Sequence, residues 1–466
     1  MDPKLSDDLH GMNDLLAATL EAAKRALTSL DTRPVAAAPP EPARTPAPGA
    51  GIGVAAALAT FEERWAPWLS GSAGPRYFGF VTGGATPASV AGDWLTSAYD
   101  QNAVSGGDSA SADLERETVR WLAELLGVGA EHHGAFVTGA TMSNAVGLAL
   151  AREWLGEQAG ISVANSGVGA LGRIPVLSAA PHSSVYKALS ILGIGRDSIT
   201  LVPTLPDREA VDVDRLADAL AELDRPAIVV ANAGTVDSVD FDDLRAIATL
   251  KERFPFWLHV DGAFGAFAAL SPQYRHLVDG IAEADSVCVD LHKWLNVPYD
   301  SAIQFTKRRD LQVTVFKNVA AYLPPTTGEP EFVHLTPESS RRLRALPAWF
   351  SLVAYGRDGH REIVERTAAL AQSLGAWVAD EPGLRLLAPV RLNVVCATIE
   401  DNPTRERVDA LIRAVADSGE AVVTPTVYDG TPGFRVAFSN WRTTQSDVDR
   451  LKAVLTKHQP NRDATH

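Results

Sequence analysis

Between about residues 110 and 310 the chain alternates short, uninterrupted apolar runs with longer stretches in which apolar residues recur every three or four positions. That alternation predicts parallel strands joined by crossover helices: a strand covered on both faces is apolar throughout, whereas each covering helix is apolar along one stripe. The expected strands are 134–137, 174–178, 198–202, 227–231, 256–260, 286–289 and 302–305, with helices over 143–154, 183–192, 213–223 and 241–253. Past residue 338 the pattern changes. Helical spacing over 339–374 and 404–417, strands at 392–398, 422–427 and 434–438, and a helix from 446 predict a smaller α+β unit. At the other end, Leu5, Leu9, Met12, Leu15, Leu16, Leu20, Ala23, Leu27 and Leu30 form one helical stripe over 5–30. Six prolines between Pro34 and Pro48 then predict an extended, semi-rigid connector. No repeat of solenoid period is present.

A length of 466 residues exceeds one ordinary core, so two or three structural units are expected. With 46% hydrophobic and 21% charged residues the chain can bury a sizeable core, which excludes wholesale disorder. The 57 acidic residues outnumber 42 basic ones, for a formal charge of −15, and no Lys/Arg-rich run interrupts them. Nucleic acid and anionic membrane surfaces are therefore poor partners. No eighteen consecutive apolar residues occur, and the first residues lack a basic segment followed by an apolar one, so a cytoplasmic protein without a membrane span is expected. Cys288 and Cys396 each sit inside an apolar stretch, as buried thiols in a reducing compartment would. No metal site is expected: His132 and His133 are adjacent, hence on opposed faces of a regular element, and no His-x-x-x-His accompanies an acid. Gly51-Ile-Gly53 and Gly193-Ile-Gly195 lack the third glycine of a nicotinamide-binding turn.

Chemistry concentrates at the ends of the expected strands. In Ala284-Asp-Ser-Val-Cys-Val-Asp-Leu-His-Lys-Trp-Leu295 a lysine follows directly on an apolar run, where lost solvation gives its amine nucleophilic character and invites a Schiff base. Trp257-Leu-His-Val-Asp-Gly-Ala-Phe264 is an apolar strand ending in Asp261, either a helix cap or the partner of a cationic ligand atom at the edge where α/β sheets bind ligands. Ala179-Ala-Pro-His-Ser-Ser-Val-Tyr-Lys187 puts His182 at another strand end, as a structural residue or as an imidazole over a flat ring. Gly134-Ala-Phe-Val-Thr-Gly-Ala-Thr-Met-Ser-Asn144 runs through small residues into a helix; free amides at Ala140 and Thr141 suit a phosphate, although a plain tight turn reads the same way. A phosphate cradle, an imidazole, a carboxylate and a lysine in one α/β domain together describe a site for pyridoxal 5'-phosphate.

From about residue 55 onward the sequence resembles the group II pyridoxal-phosphate decarboxylases, the family of the aromatic-amino-acid, histidine and glutamate decarboxylases. The resemblance rests on His-Val-Asp-x-Ala at 259–263 and Asp-Ser-x-x-x-Asp-x-His-Lys-Trp at 285–294. It implies the aspartate-aminotransferase-like fold type I, a mostly parallel sheet in a large domain with a smaller C-terminal α+β domain. It also implies a division into an N-terminal helical arm and connector (1–53), a dimerisation and substrate-pocket segment (54–108), a large cofactor domain (109–337) and a small domain (338–466). By this likeness Lys293 forms the Schiff base, His182 stacks on one face of the cofactor ring and Ala263 packs on the other. Asp261 binds the pyridine nitrogen, and Ala140, Thr141 and His292 contact the phosphate.

The implied activity is decarboxylation of an L-amino acid to its amine and CO2. Tyr322, in the connection between Lys317 and Pro337, matches the tyrosine that protonates Cα, often across a subunit boundary; with His182 it favours simple decarboxylation over aldehyde-forming variants. Arg435, in Gly433-Phe-Arg-Val-Ala-Phe-Ser-Asn440, matches the arginine for the substrate carboxylate. Phe80 and Thr82 match pocket positions of the aromatic decarboxylases, which favours an aromatic or otherwise bulky substrate. Gln101, Asn102 and Ala103 stand closer to the glutamate decarboxylases, so an acidic or polar substrate such as glutamate, aspartate, cysteine sulfinate or diaminobutyrate is the alternative. A retro-aldol lyase is a further one. Ala233-Gly-Thr-Val236 departs from the family's Gly-Thr-Thr by one hydroxyl. The unused stripe over 5–30 and the two-chain pockets of the family imply an obligate homodimer with a crossing arm.

Overall fold

The computed structural model describes residues 1–41, 45–104, 109–318 and 329–459. Seven strands form the central sheet: β1 (His133–Val137), β2 (Val176–Ser178), β3 (Ile199–Leu201), β4 (Ala227–Asn232), β5 (Phe256–Asp261), β6 (Ser286–Val289) and β7 (Ala302–Thr306). Their order is β1-β7-β6-β5-β4-β2-β3, and only β7 runs against its neighbours. All six residues of β4 and of β5 are buried, because helices cover both faces. One covering layer includes the Ala140–Gln158 and Ser183–Ile191 helices, with Val146, Leu150, Val185 and Leu189 packed on Val176, Ile228, Val230 and Trp257. The other face carries a larger core around Leu122, Val229, Leu258, Val287 and Phe305.

A second sheet of order β10-β11-β9-β8 is antiparallel throughout: β8 (Leu384–Leu386), β9 (Val394–Ile399), β10 (Thr424–Tyr428) and β11 (Thr431–Ala437). It packs with the Arg405–Asp417 and Gln445–His458 helices in a core of its own. Strand boundaries in both sheets lie within a few residues of those expected, except for β8, a three-residue edge strand that the pattern does not predict. Two helices differ. The 5–30 stripe is broken at Gly11 into Pro3–His10 and Met12–Thr28, and the Ala345–Asp380 helix kinks at Gly356, whose φ of 59° a side-chain-bearing residue adopts poorly. The proline-rich connector also begins docked rather than free. Val35 is buried and pairs through its backbone with Gly419 and Gly71, while the buried Arg76 guanidinium donates to the carbonyls of Arg33 and Glu420. Among the described residues no helix is long and apolar enough to cross a membrane, and no cluster of His, Cys, Asp and Glu is arranged to hold a metal.

Burial pushes the imidazoles of His132, His259 and His360 down to about 4, and pushes the carboxyl of fully buried Asp242 up to about 6. The histidines favour the fold fully above their unfolded pKa near 6.5, and that contribution is lost as pH falls toward 4. Asp242 acts oppositely, since its folded form keeps a proton that the unfolded chain releases. Three groups against one give a net loss of stability on acidification. The urea midpoint is expected to fall between pH 7 and pH 5, and His360→Asn to flatten that slope by up to about 1.4 kcal/mol per pH unit; an unchanged slope would count against a buried neutral His360.

Candidate active site

The C-terminal ends of β4, β5 and β6 open into a cavity of about 230 Å³ lined by Phe80, Val81, His182, Asn232, Gly234, Val236, Asp261, Ala263, Phe264, Lys293 and Arg435. This edge of a parallel sheet is where backbone termini leave polar groups and loops diverge. Asp261 ends β5 in register with Asn232 of β4 and Cys288 of β6. Its carboxylate is buried, 5% exposed; Oδ1 accepts from the Ala263 amide at 3.2 Å and Oδ2 from Asn144 Nδ2 at 2.9 Å.

His182 is the N-cap of the Ser183–Ile191 helix: Nδ1 accepts from the Ser184 amide at 3.3 Å and faces Ser184 Oγ at 2.8 Å. Structural cap and cavity wall are thus one residue. Because Nδ1 is the acceptor, the ring proton sits on Nε2. Burial holds this imidazole below its ordinary pKa despite the opposing charge of Asp261, so it is neutral at physiological pH.

Lys293 lies in the one-turn helix Leu291–Trp294, with Nζ 3.4 Å from Asp290 Oδ2 and 5.5 Å from the Phe264 ring centre. Asp290 Oδ1 stands 3.1 Å from His292 Nε2. Its other neighbours fix the backbone: Asn296, left-handed at φ 57°, donates from Nδ2 to the carbonyls of Gly83 at 2.6 Å and Ser439 at 2.7 Å, while its own carbonyl accepts from Thr86 and Ser89. The segment carrying Lys293 is thereby clamped between Gly83 and Ser439, which follows β11 of the second sheet. Arg435, on β11, reaches across to the cavity, donating to the carbonyls of Val236 and Phe80. Asp237, beside Val236, accepts from Thr426 of β10.

The Ala140–Gln158 helix starts without a side-chain cap, and its first intrahelical bond is Ser143 N to Gly139 O, so the amides of Ala140, Thr141 and Met142 have no acceptor within the helix. A Cβ on Gly139 would lie 3.6 Å from the His292 ring, which brings His292 to that helix start. A buried carboxylate, a neutral imidazole and an amine in one cavity, with an uncapped helix N-terminus beside His292, the residue before Lys293, suit pyridoxal phosphate, an anionic group with a basic ring nitrogen and an aldehyde.

Of the residues singled out from sequence, His182, Asp261, Ala263, Lys293, Phe80 and Arg435 line the cavity, and Ala140, Thr141 and His292 stand together at the helix start. Thr82 is buried with Oγ donating to the Gly79 carbonyl, and is not among the lining residues. Gln101 turns away within this chain, its amide on the Tyr99 carbonyl and its Oε1 on Ser109. Tyr322 lies outside the described residues. Sequence reading passed over Asn144, Ser184, Asp290 and Asn296. Asn144 and Asp290 stand inside the segments that carried the chemistry, but spacing says nothing of which partner a side chain finds.

The fold and this constellation define a pyridoxal-phosphate enzyme of fold type I. Residues 57–400 match the model of the pyridoxal-dependent decarboxylase conserved domain, and the chain belongs to that family of pyridoxal-phosphate-dependent amino-acid decarboxylases. An aromatic-L-amino-acid decarboxylase of Bacillus atrophaeus is 28% identical over 390 residues, 80% of this chain and 79% of that protein. An L-2,4-diaminobutyrate decarboxylase of Acinetobacter baumannii is 28% identical over 398 residues, 79% and 77% of the two chains. Among solved structures, Oryza sativa TDC with PLP and tryptamine superposes with a TM-score of 0.89 at 23% identity, covering 99% of this chain and all of that one.

Gly83 approaches the Lys293 carbonyl so closely that any Cβ would overlap it. Gly83→Ala is expected to cost about 1–3 kcal/mol by overpacking and to lower the visible cofactor absorbance per protein chain. Wild-type thermal unfolding together with full cofactor loading would reject this close approach.

Proposed function

We propose that this decarboxylase acts on an L-amino acid with an aromatic or otherwise bulky apolar side chain and releases the amine. The observation that carries this reading is the division of the cavity lining into polar groups (Lys293, Asp261, His182, Asn232, Arg435) and a set with no ionisable member (Phe80, Val81, Val236, Phe264). Among the described residues Arg435 is the one guanidinium in the lining. Once it takes the α-carboxylate and Lys293 holds the cofactor, no lysine or arginine among the described lining residues remains for a side-chain carboxylate or a second phosphate, which disfavours glutamate-type and retro-aldol readings. Kinship with an aromatic-L-amino-acid decarboxylase supports the same choice.

In this reading Lys293 tethers pyridoxal phosphate through Nζ, and the amides of Ala140 and Thr141, with His292, hold the phosphate. His182 and Ala263 enclose the ring. Bound there, the cofactor supplies an electron sink for the pair left on Cα when CO2 departs. Asp261 keeps a proton on the ring nitrogen by accepting from it, its carboxylate being held in place by the Ala263 amide and Asn144. Arg435, at 5% exposure, binds the substrate carboxylate in a water-poor site where the pairing is strong and fixes which Cα bond faces the ring. Tyr322 returns the proton to Cα.

Leu5, Leu9 and Leu16 of the N-terminal helices are 62%, 56% and 61% exposed, an apolar stripe that supports a homodimer covering it. A cytoplasmic location is supported by two cysteines, both free and buried.

The holoenzyme should be assayed with the proteinogenic amino acids, L-2,4-diaminobutyrate and cysteine sulfinate by CO2 release and mass spectrometry of the product. Aromatic substrates are expected to give the highest kcat/KM, Lys293→Ala to reduce turnover to background, and Tyr322→Phe to load cofactor normally while diverting product from amine to aldehyde. Preference for glutamate or diaminobutyrate overturns the side-chain assignment; unchanged amine from Tyr322→Phe overturns that tyrosine's role. Light scattering after size exclusion is expected to show a dimer, and a stable, fully active monomer would end that proposal.

A further inference from the structure

A buried chain of hydrogen bonds runs behind Asp261. Asn144, fully buried on the Ala140–Gln158 helix, uses both amide hydrogens: Nδ2 donates to Asp261 Oδ2 at 2.9 Å and to Ser184 Oγ at 3.0 Å. Its Oδ1 lies 2.9 Å from His259 Nε2, whose Nδ1 lies 2.8 Å from Ser286 Oγ, and Ser286 Oγ lies 2.9 Å from Trp257 Nε1.

The direction of every bond follows from the Asp261 end. A carboxylate oxygen accepts, so Asn144 presents Nδ2 to Asp261 and turns Oδ1 toward His259 Nε2, which must donate to it. With its hydrogen on Nε2, His259 accepts at Nδ1 from Ser286 Oγ, and Ser286 in turn accepts from the Trp257 indole, which can only donate. With its oxygen engaged, the Asn144 amide can present only nitrogen to Asp261 and Ser184. Ser184, accepting from Asn144, passes its hydrogen to His182 Nδ1. Each donor in the series has one acceptor, and reversing the Asn144–Asp261 or the His259–Asn144 link would set two lone pairs or two hydrogens against each other. Burial, which keeps His259 neutral, agrees with this arrangement.

Gly147 makes the chain possible. One turn beyond Asn144, an added Cβ would lie 2.6 Å from His259 Cε1 and 2.7 Å from Nδ1, so only glycine lets the imidazole lie against this helix.

We infer that Asn144, set by the Trp257–Ser286–His259 relay, is the positioning residue that orients both Asp261 and His182 for the cofactor. Resting on the assignment of Asp261 and His182 above, this gives the Ala140–Gln158 helix two duties: its free amides face the phosphate end, and Asn144, one turn on, governs the groups for the ring. One rigid helix thereby fixes the spacing between the two ends of the site.

The test compares Asn144→Leu, His259→Leu, His259→Gln and Gly147→Ala with Asp261→Asn. In Asn144→Leu the dissociation constant of pyridoxal phosphate, titrated into apoenzyme, is expected to rise about 10–100-fold, and kcat to fall by a similar factor with KM little changed. With 15N-labelled cofactor, the ring nitrogen should stay protonated through neutral pH in the wild type and lose its proton at lower pH in Asn144→Leu. His259→Gln, which can still donate to Asn144 Oδ1, should recover part of what His259→Leu loses. Gly147→Ala, which keeps every polar group, should reproduce part of the defect. The apoenzyme alone should show His259 with hydrogen on Nε2 by 15N NMR, and an Nδ1–H tautomer overturns the relay, as does a wild-type cofactor affinity and ring-nitrogen titration in a folded Asn144→Leu when Asp261→Asn is inactive. Normal turnover by Asp261→Asn overturns the assignment of Asp261 itself and the relay with it.

Discussion

A carboxylate placed at the end of a fully buried strand is the constraint on which the site depends. Removing an ionised group from water costs several kcal/mol unless donors replace the lost hydration. Asp261 meets that condition with the Ala263 amide and Asn144, both set by backbone that is itself buried. The donors arrive from two directions, the turn after β5 and a helix more than a hundred residues earlier. Their meeting requires β5 to lie centrally, between β4 and β6, under that helix. The parallel order of the sheet is thus what brings both donors to Asp261, and a carboxylate held in that place is what a protonated pyridine ring requires.

The second dependence is the joint between the two sheets. The cavity takes residues from the N-terminal segment, the central sheet and β11 of the small sheet, so it exists only while these are held together. Asn296 ties the segment after Lys293 to Gly83 and to Ser439, and Arg435 crosses the joint to the carbonyls of Val236 and Phe80. Burial lowers the pKa of this guanidinium and nearby Asp237 opposes the shift, a balance that leaves a desolvated cation directed at the cavity. Phe80 adopts a left-handed backbone at φ 57°, uncommon for a bulky side chain, at the very point where its carbonyl meets Arg435. The strain is held by the Thr424 hydroxyl, which receives the Phe80 amide at 2.9 Å, and by the Arg435 guanidinium on its carbonyl.

Sequence alone sufficed for the middle of the central sheet because β4, β5 and β6 are largely apolar runs of four to six residues separated by helical periods, the pattern that burial on both faces produces. Lys293, Asp261 and His182 were legible for a related reason: each ends such a run, where a polar residue is conspicuous. What spacing could not supply is pairing across the chain. Gln101 reads as a pocket residue from its neighbours in sequence, yet its amide is drawn to Tyr99 and Ser109 beside it. The stripe over 5–30 reads as one helix, yet it breaks at Gly11. Asn144 reads only as the end of the segment 134–144, whereas its contacts come from two other elements, His259 and Asp261 on β5 and Ser184 on the Ser183–Ile191 helix. Periodicity records how each stretch meets the core, so the order of elements and the polar residues at their ends are properties of the sequence. Which donor meets which acceptor depends on strand order and helix placement, and only the tertiary structure decides it, because a buried hydrogen bond is set by three-dimensional proximity and not by separation along the chain.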